Sequence, residues 1–439
     1  MLTLPSIQES LELYEKARHI IPGVTQTLAK GVGQYSFGVA PIFADKGKGS
    51  KIIDIDGNEY LDLSMAVGPL SLGYCYEAVD TAIKEQLLKG ITFSLPHSLE
   101  YEVAELITSI VPNAEMVRFS KTGADVTSAA VRIARAYTQR DEILCCGYHG
   151  WHDWYISVTD RDKGIPETTK NHVFTFDYNN VDSLLDSISE QTAAVILEPI
   201  TFTEPKNGFL LELRELCHKF GTVLIFDEMW TGWRLALGGA QEYYDIDADL
   251  LCFSKAIANG MPLSVLCGKS NIMSILEKDV FFFTTFGGEA LSLAAAKSTM
   301  NEIRKYDVPD YLHQQGKKLQ QGIKSIIQKH QIPWCDCIGN PTRTMISIQH
   351  STFPALEIKT LLQQEFLRYG ILWNGFHTLS FSHSDQDILH TLFAYSEILP
   401  FIHDVLYNGN IREMIHGKIL EPVFRKTTHF HSKPHLVHG

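Results

Sequence analysis

Four short runs of the sequence are apolar at nearly every position, and they constrain the fold more than any other feature. They are EILCCGY (142–148), AAVILEP (193–199), GTVLIFDE (221–228) and LSVLCG (263–268). A strand with one solvated face alternates apolar and polar residues, whereas an uninterrupted apolar run indicates a strand buried on both faces. Between these runs, helix-period patterns extend from Asp125 to Tyr137, Val181 to Ser189 and Phe209 to Phe220. This alternation predicts an α/β fold with a mostly parallel central sheet.

The pattern changes after Tyr306. An amphipathic helix from Pro309 to Gln328 is followed by the alternating strand TRTMISIQH and the helix ALEIKTLLQQEFLRYG. At 439 residues the chain also exceeds the size at which single cores stop growing. We therefore predict an N-terminal segment (1–55), a large domain (56–305) and a smaller α+β C-terminal domain (306–439) that ends in an extension.

The composition of the chain indicates which kinds of binding partner are unfavourable. The formal net charge of -13, from 38 basic and 51 acidic residues, argues against nonspecific binding to nucleic acid or anionic membranes. No run reaches the length of a membrane span, and the N-terminus MLTLPSIQESLELYEKARHI is acidic and amphipathic, so we predict a cytoplasmic protein. The eight cysteines are scattered without CxxC spacing, which favours reduced thiols.

The tail HFHSKPHLVHG contains four of the eighteen histidines. Their spacing is irregular and no carboxylate or cysteine joins them, so we predict no metal site. A tail that is solvated or contacts a partner is the favoured interpretation.

A single lysine, Lys255, stands at the end of an apolar run in LCFSKAIANG (251–260). Desolvating an ammonium group is costly, so its position needs an explanation. One interpretation is that the side chain extends to water along its aliphatic stem. The other is that the neutral amine is the working form, as in a Schiff base with an aldehyde cofactor.

Other polar groups also follow buried strands, where open parallel sheets bind ligands. Thr122, Gly123 and Ala124 open a helix, whose first amides and dipole would face an anion such as phosphate. Tyr148 and His149 follow the strand EILCC, where an aromatic ring could stack on a planar ligand or be an ordinary surface residue.

Two adjacent carboxylates, Asp227 and Glu228, end the apolar run in LIFDE. Because neighbouring residues of a strand point to opposite faces, we expect them to have different roles. An aspartate that faces a heterocyclic nitrogen keeps it protonated, although a helix N-cap is the commoner use of a carboxylate here. Glu198, in VILEPI, has the same relation to its own strand.

An ordered set of motifs then carries a resemblance to a known family. The set is SLELYEKARHIIPG, GNEYLDL, GPLSLGY, TGADVTSAAVRIARAYTQRD, YHG, LIFDEMWTGWRLALGGAQEYY, SKAIANGMPLSVLCG and FGGEALSLAAA. It resembles the class III aminotransferases of fold type I, and most closely their glutamate semialdehyde aminomutase branch. The similarity extends from about Ser10 to Ile388, in the same order throughout.

The resemblance implies that the large domain binds pyridoxal 5'-phosphate. It also implies a role for each position that matches the family. Lys255 matches the lysine that forms a Schiff base with the cofactor, and Asp227 matches the partner of its pyridine nitrogen. Met229 stands where the family packs a small apolar side chain against the ring, and Tyr148 matches the residue stacked over it. We also count Glu198 among the cofactor contacts.

The phosphate contacts follow from the same resemblance. Gly123 and Ala124 match the phosphate-binding pair of the family's SGTE loop, with Thr122 in the place of its serine. Thr285, in TTFGGEA, matches a threonine that reaches the phosphate of the neighbouring subunit. The resemblance therefore also implies a homodimer with shared active sites.

Departures from the aminomutase pattern cluster where that enzyme holds its substrate. PGVTQTLAK replaces GGVNSPVR, which places Gln26 and Lys30 near the substrate instead of a serine and an arginine. Val67 replaces a tryptophan, and Gly375 stands at about the place of a glutamate. A buried polar group without its partner costs about 1 to 3 kcal/mol, so a pocket altered at three points favours a different substrate.

The candidate substrate contacts are Trp373, Asn374 and His377 from LWNGFH, together with His149 and Glu198. Each of these residues has an alternative interpretation as packing or loop structure. Arg234, in TGWR, could bind a carboxylate or form a structural salt bridge.

The favoured function is a class III aminotransferase that moves an amino group between an amino donor and a keto or aldehyde group of a small polar metabolite or sugar. The alternative is intramolecular transfer of the glutamate semialdehyde aminomutase type. A noncatalytic binding protein of the same fold is disfavoured by the intact Lys255 and Asp227. The stretch after about Tyr407 extends past the usual aminomutase end, and we expect it to cover the active site or the dimer interface.

Overall fold

The computed structural model describes residues 2–422. They form two compact units, which we call unit 1 (2–76 and 310–422) and unit 2 (77–309). The sequence-based domain limits at residues 55 and 305 stay a prediction. The histidine-rich tail lies outside the described residues.

The N-terminal part of unit 1 contains one helix and three antiparallel strands. They are α1 (Gln8–Ala17), β1 (Ala44–Lys48), β2 (Lys51–Asp54) and β3 (Glu59–Asp62). The turn between β2 and β3 is closed by Asp54, whose Oδ1 accepts the amide of Asn58 at 2.8 Å. Gly57 in this turn has a φ of 85°, a conformation that glycine adopts without steric cost.

Unit 2 consists of a seven-stranded sheet with the strand order β4-β10-β9-β8-β7-β5-β6 and ten α-helices. The strands are β4 (Met116–Ser120), β5 (Glu142–Cys146), β6 (Val173–Thr175), β7 (Thr192–Leu197), β8 (Val223–Asp227), β9 (Leu250–Phe253) and β10 (Ser264–Gly268). The helices are α2 (Glu77–Leu87), α3 (Ser98–Ile110), α4 (Gly123–Thr138), α5 (Asp153–Ile156), α6 (Glu167–Lys170), α7 (Val181–Leu185), α8 (Phe209–Phe220), α9 (Ala240–Tyr244), α10 (Ser270–Met273) and α11 (Ala290–Lys305).

The predicted α/β fold with a mostly parallel sheet is confirmed. The four apolar runs form β5, β7, β8 and β10, and β10 runs opposite to the other six strands of this sheet. All residues of β7 and β8 are buried, because helices cover both faces. Helix α4 packs on the sheet through Val126, Ala130 and Ile133, which belong to the main apolar cluster.

From helix α12 onward the chain returns to unit 1. The elements are α12 (Val308–Lys329), β11 (Cys335–Asn340), β12 (Arg343–Ile348), α13 (Ala355–Arg368), β13 (Ile371–Leu372), β14 (Phe376–His377), α14 (Asp385–Asn408) and α15 (Ile411–Met414). Strand β13 pairs in parallel with β3, which joins the N-terminal strands to this part of the unit, and β11, β12 and β14 form a second sheet.

No helix between residues 2 and 422 is both long and apolar enough to cross a membrane.

Candidate active site

The parallel strands of unit 2 bring most of the candidate cofactor contacts to one edge of the sheet. Strands β5, β7, β8 and β9 run in the same direction, so their carboxyl ends lie together. Tyr148 and His149 follow β5, Glu198 follows β7, Asp227 ends β8 and Lys255 follows β9.

Asp227 and His149 form a buried pair. The Nδ1 atom of His149 lies 2.8 Å from Oδ2 of Asp227, and their side chains are 0% and 1% exposed. The carboxylate can only accept, so Nδ1 carries the proton and donates it. The other carboxylate oxygen accepts the amide of Met229 at 3.1 Å. The imidazole also lies nearly parallel to the ring of Trp154, with 6.0 Å between centroids.

These contacts give His149 a role that the sequence did not indicate, since it holds Asp227 through a direct hydrogen bond. Its predicted contact with substrate stays a prediction. The buried Nε2 atom of His149 has no hydrogen-bond partner among residues 2–422.

Glu228 faces away from this pair and has a different set of partners. Its carboxylate accepts the amides of Ala240 at 2.8 Å and Gln241 at 3.0 Å, at the start of α9, and the hydroxyl of Thr231. Burial raises the pKa of Glu228 to about 7, although these hydrogen bonds act in the opposite direction. Glu228 is therefore a structural carboxyl group that caps a helix.

The start of helix α4 has the geometry of an anion site. Thr122 is the N-cap and shares a capping box with Asp125, in which the Thr122 amide donates to Asp125 Oδ2 at 2.9 Å. The amides of Gly123 and Ala124 lie in the first turn, where an α-helix supplies no acceptor of its own. They can therefore donate to a phosphate group.

Two glycines allow close packing around this helix start. A Cβ atom on Gly123 would lie 2.9 Å from the sulfur of Met229. Gly150 has a φ of 110°, and a Cβ atom there would lie 2.8 Å from Cα of Ala124. The Thr127 hydroxyl also donates to the carbonyl of His149 at 2.7 Å. We call this region the cradle. It consists of the loop after β5, the start of α4 and Met229, which pack against one another.

Glu198 is buried and supports the neighbouring loop. Its Oε2 atom accepts the amide of Tyr148 at 3.3 Å, and a Cβ atom on Gly147 would lie 2.9 Å from the same oxygen. The ring of Tyr148 meets that of Tyr155 edge-on, with 5.5 Å between centroids. The direct contacts of Glu198 and Tyr148 with the cofactor stay predictions.

Lys255 opens a short 3₁₀ turn, Lys255–Ala258, directly after β9 and Ser254. Its φ of 47° is unusual for a residue with a side chain, and such conformations concentrate at functional sites. The Nζ atom lies 4.1 Å from the centroid of the Trp230 ring. The sequence analysis did not identify Trp230 as a site residue. Its position next to Met229 in DEMW was a signal that it could contact the same site.

Thr285 lies on the surface of unit 2, in a segment with three exposed phenylalanines. Phe281, Phe283 and Phe286 are 75%, 58% and 59% exposed. Arg234, by contrast, is buried, and burial lowers its pKa to about 10.

The three other candidate substrate residues belong to unit 1. His377 is buried, and its ring nitrogens lie 2.8 Å from Thr344 Oγ1 and 2.7 Å from the Tyr395 hydroxyl. Burial lowers the pKa of His377 to about 3, so the ring is neutral. Trp373 is fully buried, and Asn374 donates to the Ser64 hydroxyl at 3.3 Å. Their contacts with substrate stay predictions.

Unit 1 also contains a cavity of about 410 Å³ that the sequence could not reveal. Lys30 and Val67, which the resemblance places near the substrate, both line it. Met65, Ala66 and Val67 have positive φ values of 45°, 55° and 70°, and form a left-handed turn beside this cavity. The Ser64 amide, at the start of the turn, donates to the buried carboxylate of Asp62 at 2.7 Å.

Within unit 2, the residues fit pyridoxal 5'-phosphate. Asp227 is a buried acceptor for a protonated ring nitrogen, the start of α4 offers free amides to a phosphate, and Lys255 supplies an amine. The packing of Gly123 against Met229 leaves no room for a larger side chain in the cradle. Among residues 2–422, no group of three or more histidine, cysteine or carboxylate side chains could hold a metal ion.

Comparisons with known proteins agree with this fit. Residues 34–378 match the family described as Aminotransferase class-III. The chain is 32% identical over 415 residues to 3-aminobutyryl-CoA aminotransferase of Cloacimonas acidaminovorans, covering 91% of this chain and 99% of that protein. It is 33% identical over 423 residues to glutamate-1-semialdehyde 2,1-aminomutase 2 of Brevibacillus brevis, covering 88% and 97%.

A solved structure shows the same fold with the cofactor. The FumI protein of Sphingopyxis sp. MTA144, in its pyridoxal phosphate form, superposes with a TM-score of 0.86 at 27% identity, covering 93% of this chain and 100% of that one. The fold is therefore fold type I and the cofactor is pyridoxal 5'-phosphate. The chain belongs to the class III aminotransferase family and is a pyridoxal phosphate-dependent enzyme.

Proposed function

We propose that the protein is an aminotransferase that moves an amino group between an amino donor and a keto or aldehyde group of a small metabolite. One observation carries the assignment of the catalytic groups. Asp227 pairs with Cys252 across the parallel strands β8 and β9, and Lys255 follows three residues later at the same edge. A lysine and a buried carboxylate thus lie at the ends of neighbouring parallel strands.

Each group has a separate task in this proposal. Asp227, held by His149, keeps the ring nitrogen of the cofactor protonated. When bound, the cofactor supplies an aldehyde and a ring that withdraws electrons from the substrate carbon. Lys255 removes the proton at that carbon as a neutral amine and returns it to the product side. The first amides of α4 hold the phosphate, and Tyr148 covers the ring.

Aminomutase activity of the glutamate semialdehyde type is the second candidate. The identities to a named aminotransferase and a named aminomutase are nearly equal, so they support both reactions. The altered positions Lys30, Val67 and Gly375 favour transamination, because they fall where the aminomutase branch contacts its substrate. A small polar metabolite or sugar is the proposed acceptor.

The test is a half-reaction with single amines. The holoenzyme is mixed with L-glutamate, L-alanine or 3-aminobutyrate, and the visible spectrum and the keto product are followed. Release of a keto acid in proportion to enzyme supports transamination. Conversion of glutamate semialdehyde without any keto acid from these donors would instead establish the mutase.

Lysine variants provide the matched control. Lys255→Ala is expected to abolish the half-reaction and the visible band, whereas Lys206→Ala, at an exposed lysine of the same unit, retains both. Activity retained in Lys255→Ala would refute the assignment of the amine.

The proposal includes a homodimer with shared sites, supported by the exposed phenylalanines around Thr285. Phe286→Glu is expected to shift sedimentation toward the monomer and to weaken cofactor binding. Leu389→Glu, at an exposed leucine of unit 1, is the control and leaves both unchanged. A Phe286→Glu variant that stays dimeric would contradict the placement of the interface.

A cytoplasmic location is also part of the proposal. It is supported by the eight cysteines, all of which are free, as expected for a reducing compartment.

A further inference from the structure

Helix α13 of unit 1 carries a polar face that is almost completely buried. Glu357, Thr360, Gln363 and Gln364 are between 0% and 4% exposed. Positions separated by three, four and seven residues share one face of a helix, so these groups point in the same general direction. Buried polar groups require partners, and here two separate chain segments supply them.

The first segment is residues 411–421, which we call the strap. Arg412 donates to Glu357 Oε1 at 2.9 and 2.6 Å. Further along, the amide of His416 donates to Gln364 Oε1 at 2.8 Å, and the amide of Leu420 donates to Thr360 Oγ1 at 3.0 Å. The strap is therefore fixed to α13 along its whole length.

The second segment is residues 31–37, which we call the wall. Gln363 Oε1 accepts the amide of Ser36 at 2.6 Å, and its Nε2 donates to the carbonyls of Gln34 at 3.1 Å and Trp373 at 3.0 Å. One buried glutamine thus ties the wall to the segment that contains Trp373.

The strap also bonds directly to the wall. The amides of Lys418 and Glu421 donate to the carbonyls of Phe37 at 2.9 Å and Gly33 at 2.8 Å. In the other direction, Ser36 Oγ donates to the carbonyl of Lys418 at 2.9 Å, and Gln34 Nε2 donates to that of Glu421 at 3.1 Å. With these four hydrogen bonds, the wall is bonded both to α13 and to the strap.

The wall also lines the cavity of about 410 Å³. Gly31, Val32 and Tyr35 line it, together with Lys30 and Val67. Tyr35 alternates with Gln34 and Ser36, so the residues that face the cavity and those that bond to the strap are neighbours in sequence. The Tyr35 hydroxyl lies within hydrogen-bonding distance of the Ser64 and Asn374 side chains.

We propose that the strap is a positioning segment, which holds the wall in the conformation that binds substrate without itself contacting the substrate. This rests on the proposed function, which takes Lys30 and Val67 as residues near the substrate. Part of the cavity lining is apolar, with Val32, Ile42 and Phe43 among its residues.

The expected kinetic signature follows from a conformational equilibrium. Weakening the hydrogen bonds that hold the strap and the wall together is expected to lower the fraction of molecules with a binding-competent wall to about a tenth. Apparent affinity falls by the competent fraction, whereas the bound enzyme reacts as before. Strap variants should therefore raise KM about tenfold and leave kcat within about twofold.

Gly417 provides the variant. A Cβ atom there would lie 2.2 Å from Ser36 Oγ and 3.0 Å from the Phe37 carbonyl oxygen. Its φ is not positive, so alanine fits the backbone conformation, and the added Cβ atom meets the wall and also Val39 Cγ2, at 2.9 Å. Arg412→Gln releases the strap at its other end and serves as a second variant. Glu413→Ala, at an exposed strap residue, is the matched control.

Two measurements on the holoenzyme test the proposal. Amide hydrogen exchange of peptides covering residues 31–39 should rise in Gly417→Ala and Arg412→Gln but not in Glu413→Ala. With the amine that gives the fastest half-reaction among L-glutamate, L-alanine and 3-aminobutyrate, KM should rise as stated, while the cofactor absorbance is retained.

The possible outcomes separate this proposal from the proposed function. Unchanged exchange in residues 31–39, or increased exchange with an unchanged KM, would overturn the positioning role. Equal losses in kcat and cofactor content would also overturn it, since they would indicate a general loss of structure. If the wild-type enzyme reacts with no amine, the proposed function fails, and the exchange measurement alone decides whether the strap orders the wall.

Discussion

The imidazole Nδ1 of His149 lies 2.8 Å from Oδ2 of Asp227, and both side chains are shielded from solvent. Removing a hydrogen-bond donor from a buried carboxylate costs about 1 to 3 kcal/mol of stability. The imidazole N–H thus satisfies one oxygen of the buried carboxylate that the proposed function assigns to the ring nitrogen.

The first prediction concerns this pair. His149→Leu removes the donor and is expected to weaken pyridoxal phosphate binding by at least about tenfold, equivalent to about 1.4 kcal/mol. His149→Asn places an amide N–H near the former Nδ1 position and should retain most of the affinity. Absorbance titration of the apoprotein with the cofactor measures both. Equal affinities of the two variants would show that the hydrogen bond to Asp227 is unimportant.

The second prediction concerns the contact between Gly123 and Met229. Gly123→Ala introduces a Cβ atom 2.9 Å from the Met229 sulfur, so either the Met229 side chain or the start of α4 has to shift, and each is a proposed contact of the cofactor. We expect cofactor affinity to fall about tenfold. The double variant Gly123→Ala with Met229→Ala creates space and should recover part of the loss. A double variant no better than the single one would point to a cause other than this contact.

The helices and strands of unit 2 were predictable because the local sequence patterns agree with the fold that the chain adopts there. The helix Phe209–Phe220 was predicted with its observed bounds, since glycines flank it on both sides. Helix α4 begins at Gly123, two residues before the predicted start, because the Thr122 capping box extends it. Helix α7 ends at Leu185 and not at Ser189, which the periodic pattern alone could not indicate.

The site was predictable only where residues follow strands. Asp227 and Lys255 were correctly placed at strand ends, and their roles stay predictions, whereas the contact between Trp230 and Lys255 was not predicted. The hydrogen bond between His149 and Asp227 joins residues that are 78 positions apart, and no periodicity reports such a contact. From the sequence, the polar face of α13 likewise suggests a solvated surface. Its hydrogen-bond partners in the strap are far away in the sequence, so no local pattern indicates them.

The third prediction uses the raised pKa of Glu228. Burial raises this pKa from its usual 4.5 to about 7, so the folded protein holds a proton that the unfolded chain releases above pH 4.5. The stabilisation is complete below pH 4.5 and is lost as the pH rises to about 7, by roughly 3 kcal/mol. Glu228→Gln should lack this slope. Urea unfolding of wild type and variant between pH 4.5 and 7.5 measures the difference, and parallel curves would contradict the buried proton.

The fourth prediction concerns His377 and has the opposite sign. Burial lowers the pKa of His377 from 6.5 to about 3, so the folded ring stays neutral while the unfolded chain binds a proton below pH 6.5. Its contribution to stability is therefore complete above pH 6.5 and decreases by about 1.4 kcal/mol per pH unit toward pH 3.

His377→Gln tests this directly, because glutamine can hydrogen-bond to Thr344 or Tyr395 but does not titrate. Between pH 6.5 and 4.5 the wild type should lose about 2 to 3 kcal/mol more of its unfolding free energy than the variant. The Glu228→Gln variant, measured over the same range, should deviate from wild type in the other direction. If His377 instead faced solvent and contacted substrate, its ring would titrate near 6.5 in the folded protein and the two pH profiles would be parallel. The sign of this difference thus separates a buried structural histidine from a substrate contact.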